Sequence, residues 1–179
     1  MYIGIDLAAL PKNPTGMAAY DGHSYFCQTA RSGEEILDFI RQHHPRAIAI
    51  DAPLTLPRGR CCFDDACCGP RKIRECDRSL IKMGFRVFPP GFSFMKQLTL
   101  RGRALREQLE QEGFRVIEAH PRTSKRILGI EHFEGSHNEH EDDACAAALT
   151  AFLYVQGNCR EIGDNEGVII IPQPGRPRR

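Results

Sequence analysis

The chain has 179 residues, of which 41% are hydrophobic, and this is enough for one globular domain with a buried core. Its net charge of +1 gives no global attraction to nucleic acid or anionic membranes. No apolar run predicts a transmembrane segment, and the N-terminal residues do not resemble a secretory signal. We therefore expect a cytoplasmic protein without membrane contacts. In that reducing compartment the eight cysteines are not expected to form a disulfide framework.

The first predicted strand is the apolar run 2–5, which ends in Asp6 and is followed by a loop rich in glycine and proline. Such an acid either caps the loop or, as a buried carboxylate, requires a cation or hydrogen-bond donors. The next two apolar runs flank Asp21-Gly22, a pair that predicts an antiparallel hairpin. The chain therefore opens with antiparallel strands, the first of which carries Asp6.

A helix is predicted to begin at Ser32, where Glu35 completes a capping box and apolar residues recur at helical spacing. The following run 46–51, RAIAID, is a second apolar strand that ends in an acid, Asp51. The order strand, helix, strand predicts a crossover connection and a parallel pair.

Residues 54–97 form an insertion rich in arginine and cysteine. Eight basic and four acidic residues lie between positions 58 and 86. A helix is predicted there by apolar residues three and four positions apart, namely Ile73, Cys76, Leu80 and Met83. Its other sides carry basic residues, including Arg71, Arg74 and Arg78. They form either a solvated surface or, beside a carboxylate site, the binding surface for a phosphate-bearing substrate.

Four cysteines of the insertion occur as two adjacent pairs, in the order Cys61, Cys62, Cys67 and Cys68. Adjacent pairs lack the two-residue spacer of ordinary zinc knuckles, and no matching histidine pair follows. We therefore favour free reduced thiols over a structural metal at this cluster.

A further helix is predicted to begin near Thr99 and to end at Gly113. The run 114–118, FRVIE, then predicts a third apolar strand ending in an acid, Glu118, which His120 follows after one residue. The same arrangement of an apolar strand, an acid and a break in the chain thus occurs three times.

The last helix is predicted to begin near Glu139 and to end at Gly157. Its middle consists almost entirely of small residues, so it can lie very close to a sheet. Asp142 and Asp143 fall in its first turns, where the helix dipole favours acids in any case. His140 lies one turn before Asp143 on the same face.

If the three strands are neighbours, Asp6, Asp51 and Glu118 converge at one edge of the sheet, where open α/β sheets bind ligands. Asp143 on a helix packed across that edge would complete the cluster. Massed carboxylates repel one another unless a cation is bound, and their oxygens suit Mg²⁺ or Mn²⁺ rather than zinc. Two such ions promote phosphodiester hydrolysis.

Six motifs together resemble those of the family catalogued as domain of unknown function 429, which is described as a predicted nuclease with a ribonuclease-H-like fold. In chain order they are GIDLA, IAIDAPL, RECDRSLIKMGFRVFPP, VIEAHP, HEDDACAAALTAFLY and IGDNEGVIIIP. The resemblance implies an α/β fold with a mixed sheet of five or more strands, opened by an antiparallel meander and flanked by helices. It covers one domain, 1–171, with the insertion at about 54–97, and leaves a basic tail at 172–179.

The resemblance also implies that the matching acids, Asp6, Asp51, Glu118 and Asp143, form a metal site, with Asp143 fitting the family pattern better than Asp142. The leading hypothesis is a metal-dependent nuclease in which His140 or His120 assists proton transfer. Asp142 is retained as a further candidate ligand. The alternative is a non-catalytic module of the same fold that binds nucleic acid or a nucleotide. A phosphotransferase of the actin-like ATPase type is disfavoured, because those enzymes need two related domains.

Overall fold

The computed structural model describes residues 1–173. In this part of the chain one seven-stranded sheet is flanked by helices. The strands are β1 (Tyr2–Asp6), β2 (Thr15–Tyr20), β3 (Tyr25–Ala30), β4 (Ile48–Asp51), β5 (Val116–Ala119), β6 (Cys159–Asp164) and β7 (Gly167–Pro172). The α-helices are α1 (Gly33–His43), α2 (Asp65–Cys68), α3 (Glu75–Lys82), α4 (Lys96–Gln111), α5 (Pro121–Leu128) and α6 (Glu139–Val155).

The strand order is β3-β2-β1-β4-β5-β7-β6, and the sheet is mixed. Strands β1, β4, β5 and β7 are parallel, whereas β2, β3 and β6 pair antiparallel to their neighbours. The predicted opening meander is therefore confirmed. A parallel pair is also found, but it joins β4 to β1 and not to β3, the strand before α1. Strand β6 was not predicted, because this edge strand has a single buried residue, Ile162, and so lacks a clear apolar pattern.

The sheet separates two apolar layers. On one face, isoleucines of β1 and β4 pack with α1 and with Leu109 of α4. On the other face, the alanines of α6 pack against β1 and β4. This contact is unusually close, because a Cβ atom added to Gly4 of β1 would lie 2.0 Å from the carbonyl oxygen of Ala144 and 2.3 Å from the amide nitrogen of Ala148. The small residues of α6 thus allow two backbones to touch, as predicted.

Several helix boundaries differ from the predicted ones. Helix α3 lies between Ile73 and Met83, which were both assigned to its apolar stripe. Helix α4 begins at Lys96, before the predicted Thr99. Helix α5 was missed, although a proline such as Pro121 is typical of the first position of a helix.

The predicted basic tail begins at Pro172, which is the last residue of β7. Residues 174–179 lie outside the described part of the chain. Within residues 1–173, no helix combines the length and the apolar character needed to cross a membrane.

We expect Gly4→Ala to lower the free energy of unfolding by about 2 kcal/mol or more, because its Cβ would force α6 away from β1. Gly33→Ala is the matched control, since a Cβ at this helical position meets no atom within 4 Å. Urea unfolding followed by far-UV circular dichroism measures both. Equal stabilities of the two variants would show that α6 can shift without cost.

Candidate metal and nucleic-acid site

Asp6 and Asp51 are register partners at the ends of the parallel strands β1 and β4. Side chains alternate along a strand, and the preceding Ile5 and Ile50 face α1, so both acids point to the face covered by α6. Asp143, in the first turns of α6, lines the same cleft of about 330 Å³. The structure therefore brings together three of the four acids at one edge of the sheet.

The Asp51 carboxylate forms no hydrogen bond or ion pair with any residue in the described range 1–173. Burial raises its pKa well above the ordinary range, and the negative charges of Asp6, Asp143 and Glu118 raise it further. The positive charge of Arg122 opposes this shift. Asp51 is thus a half-buried acid whose ionisation is disfavoured by its neighbours.

Asp6 shares this environment but has a basic partner. Burial raises its pKa, the hydrogen bond to His140 opposes the rise, and the charge of Asp143 adds to it. The distance from His140 Nδ1 to Asp6 Oδ2 is 2.7 Å. Because an ionised carboxylate only accepts hydrogen bonds, Nδ1 carries the proton and Nε2 is free to accept one.

Glu118 borders the cleft but points to the opposite face of the sheet from Asp6 and Asp51. Strand β5 continues to Ala119, and Glu118 is in register with Ile50 rather than with Asp51. Both of its carboxylate oxygens accept hydrogen bonds from Arg74, at 2.8 and 2.6 Å, and one also accepts from the amide of Leu54 at 2.8 Å. Its lone pairs are therefore largely occupied within the protein.

The sequence left Arg74 either on a solvated side of its helix or beside a phosphate-bearing substrate, but the structure buries its side chain. Its side chain is only 1% exposed, at the N-cap of α3. A guanidinium has five N–H donors. All five are used, two by Glu118, two by the carboxylate of Asp77 and one by Thr55 Oγ1. Arg74 therefore has no donor left for the substrate that the sequence assigned to it.

Asp142 and Asp143 occupy different environments. Asp142 accepts hydrogen bonds from the Phe133 amide at 2.7 Å and from Ser136 Oγ at 3.1 Å, and its other oxygen lies 2.8 Å from Lys125 Nζ. It thus holds the loop before α6, and it does not line the cleft. Asp143 lines the cleft and lies 2.5 Å from the same lysine nitrogen.

His120 also lines the cleft, and it is half-buried. Burial lowers its pKa to about 4, the charge of Arg122 acts in the same direction, and Asp77 opposes both. His120 is therefore neutral near pH 7. Its Nδ1 lies 2.8 Å from Thr123 Oγ1, so one ring nitrogen is already bonded within the protein.

Of the three arginines that the sequence singled out, only Arg74 lines the cleft, and its donors are already used within the protein. Arg71 and Arg78 have side chains that are more than half exposed, and neither lines the cleft. Arg86 and Arg122 line it instead. Arg122 carries a sequence signal that was missed, since it lies only four residues after the acid that ends the third predicted strand. The apolar wall of the cleft consists of Val87, Phe88, Met95 and Leu98.

The donor set has the chemistry that a hard divalent cation prefers, although the oxygens of the three acids do not all lie within 4.8 Å of one another. Three carboxylates on one face supply only oxygen ligands, which Mg²⁺ and Mn²⁺ prefer, and within residues 1–173 no side chain forms an ion pair with Asp51. Lys125 beside Asp143 and His140 beside Asp6 compete directly with a metal for these acids.

The chain is similar in fold to T. thermophilus RuvC, whose structure was solved in complex with a Holliday junction substrate. The two align with a TM-score of 0.51 and 14% sequence identity, over 88% of this chain and 97% of that one. The predicted ribonuclease-H-like α/β fold is therefore confirmed. No protein-family model and no curated protein matches the chain, so the more specific family resemblance has no independent support.

We expect Arg74→Met to lower the free energy of unfolding by about 3–5 kcal/mol, because it leaves the buried carboxylates of Glu118 and Asp77 without their cation. The same change at the exposed Arg78 is the control and is expected to stay within about 0.5 kcal/mol of the wild type. Chemical denaturation measures both. Similar losses in the two variants would mean that the buried network is not what stabilises α3.

We expect Asp51→Asn to make the metal-free protein more stable than the wild type at pH 7. The pKa of Asp51 is raised in the folded protein, so folding favours the protonated form of this carboxyl group. Below the pKa of the unfolded chain, which is about 4, Asp51 is protonated and does not destabilise the fold. As the pH rises from there through the folded-state pKa, ionisation of Asp51 costs the wild type an increasing part of its free energy of unfolding. The difference between variant and wild type should therefore shrink towards pH 4. Unfolding measured with a chelator between pH 4 and 8 tests this, with the exposed Asp38→Asn as the control.

Proposed function

We propose that this protein is a metal-dependent phosphodiesterase that hydrolyses nucleic acid. The observation that carries the proposal is the convergence of Asp6, Asp51 and Asp143 from two parallel strands and one helix. These three residues would hold Mg²⁺ or Mn²⁺. Glu118, which the sequence placed in the same ligand set, serves in this proposal to hold Arg74 below the cleft.

Divalent ions in such a site lower the pKa of a bound water and stabilise the charge on the leaving oxygen. The contribution of the chain is to position the acids and to handle the proton. The bond to Asp6 orients the His140 ring and leaves its Nε2 free to accept the proton of the attacking water. His120, whose pKa is about 4, is neutral near pH 7, so it is not an imidazolium general acid there.

The substrate is inferred from what surrounds the acids. Arg86 and Arg122 provide two guanidinium groups that can bind phosphate oxygens on either side of the scissile bond. Next to them, the rings of Phe88, Phe92 and Phe94 pack edge to face and are exposed by 36%, 37% and 59%. Exposed aromatic rings beside arginines stack with unpaired bases. The motifs shared with the predicted nuclease family and the junction-bound RuvC of similar fold agree with this substrate class.

A second candidate is a non-catalytic module that binds nucleic acid through the same cleft. It is favoured by one observation, which is that three of the four acids already have basic partners. Arg74 binds Glu118, Lys125 lies beside Asp143, and His140 binds Asp6. A site neutralised in this way could persist without metal, and it would bind a substrate without cleaving it.

We expect Asp143→Asn to reduce Mn²⁺-dependent cleavage by about 100-fold or more, because it removes a metal ligand. Mutation of a residue that only hydrogen-bonds to a metal ligand typically lowers metal affinity or activity by about 10–100-fold, and loss of the ligand itself should cost at least as much. Labelled single-stranded, duplex and four-way branched DNA and RNA are the substrates. Calorimetric titration with Mn²⁺ gives a second readout, in which the variant should lose the affinity of the wild type.

Asp38→Asn is the matched control, because it makes the same chemical change on an exposed face of α1 and should retain full cleavage and Mn²⁺ binding. Cleavage that persists in Asp143→Asn would contradict the catalytic assignment. Metal-independent binding with no turnover on any substrate would favour the second candidate.

A further inference from the structure

The fold brings together the four cysteines of the insertion. One sulfur from each of Cys61, Cys62, Cys67 and Cys68 lies within 4.8 Å of the other three. The shorter separations are 2.7 Å between Cys61 and Cys68, 3.4 Å between Cys67 and Cys68, and 3.6 Å from Cys61 to Cys67 and from Cys62 to Cys68. Among the residues that the structure describes, this is the one cluster with metal-ligand spacing.

Local structure explains how two adjacent pairs converge. The second pair ends the single helical turn α2, whose N-cap Asp64 accepts a hydrogen bond from the amide of Ala66 at 2.9 Å. The first pair precedes a turn that is held by Arg60. This side chain is only 2% exposed, and it donates to the carbonyl of Cys62 at 2.9 Å and to Asp65 at 2.8 Å. The loop therefore folds around a buried guanidinium and directs its thiols to one point.

We propose that these four thiols form a structural zinc site. Zinc bound tetrahedrally by four thiolates at about 2.3 Å places the sulfurs about 3.8 Å apart. Three of the pairs above lie at 3.4–3.6 Å, so only the Cys61–Cys68 pair must open, by about 1 Å. The amide of Cys61 donates to Cys68 Sγ at 3.2 Å, and hydrogen bonds of this kind orient metal ligands.

Charge and proton balance agree with zinc. Four thiols that bind Zn²⁺ release four protons and leave a centre of net charge −2. Two cations are close to the loop, since Arg60 and Lys96 both lie over the ring of Phe63, at 5.8 and 5.7 Å from its centroid. Disulfide formation between the same cysteines would require an electron acceptor, whereas zinc binding requires none.

The zinc site is distinct from the carboxylate cleft in chemistry and in role. Soft thiolates select zinc, whereas the carboxylates suit Mg²⁺ or Mn²⁺. Arg60 also donates to the carbonyl of Arg71 at 3.2 Å, and the amide of Gly91 donates to that of Lys72 at 3.0 Å. The zinc loop is thereby connected to the segment that leads into Arg74, so zinc stabilises the insertion on one side of the cleft.

The test uses the full chain, produced with zinc under reducing conditions and freed of loosely bound metal. Mass spectrometry of the metal content is expected to show about one zinc ion per chain. Cys61→Ser and Cys68→Ser should reduce it to background. Cys159→Ser, which changes a half-buried cysteine on β6, should retain it, as should Asp143→Asn in the cleft.

Replacement of zinc by Co²⁺ in the wild-type chain gives a readout that does not depend on how the variants fold. The visible absorption of tetrahedral cobalt thiolate should appear and saturate at about one equivalent. Zinc lost equally from Cys159→Ser, stoichiometric iron in place of zinc, a Cys61–Cys68 disulfide in the reduced preparation, or no cobalt absorption would each overturn the proposal.

Discussion

The contact between helix α6 and strand β1 is the constraint on which the site depends. Because Gly4 has no side chain, the backbones of Ala144 and Ala148 approach the strand directly. The first turn of the helix is thereby brought to the end of the strand, so that Asp143 faces the same cleft as Asp6 and Asp51. A larger residue at position 4 would move the helix, and the third acid with it, away from the other two.

The acids of the cleft differ in how their charge is balanced. Glu118, Asp143 and Asp6 have Arg74, Lys125 and His140 as their basic partners, in that order. Asp51 has no basic partner in the described residues 1–173. Burying a carboxylate without a partner is costly, and such costs are typically retained where function requires them. Asp51 is therefore the position at which a bound cation would relieve the most repulsion.

The insertion combines two polar clusters that are built around buried arginines. Arg74 joins α3 to β5 through Glu118 and Asp77, and Arg60 folds the loop that carries the four cysteines. The insertion is rich in charged and turn-forming residues. In both clusters, hydrogen bonds to a buried guanidinium hold together parts of the chain that apolar side chains would connect in an ordinary core. Val87, Phe88 and Met95 in the wall of the cleft come from the same insertion, so its order affects which substrates can bind.

The sequence by itself determined the order of most elements and the acids that end β1 and β4, because buried strands produce apolar runs whose breaks are visible in the chain. It also determined the small-residue helix that carries Asp143. Only the tertiary structure decided that Glu118 points to the opposite face, because register is set by strand pairing and one residue of offset reverses the face. Burial of Arg74 and convergence of the cysteines were equally inaccessible, since both depend on partners that are distant in sequence or on the path of an irregular loop.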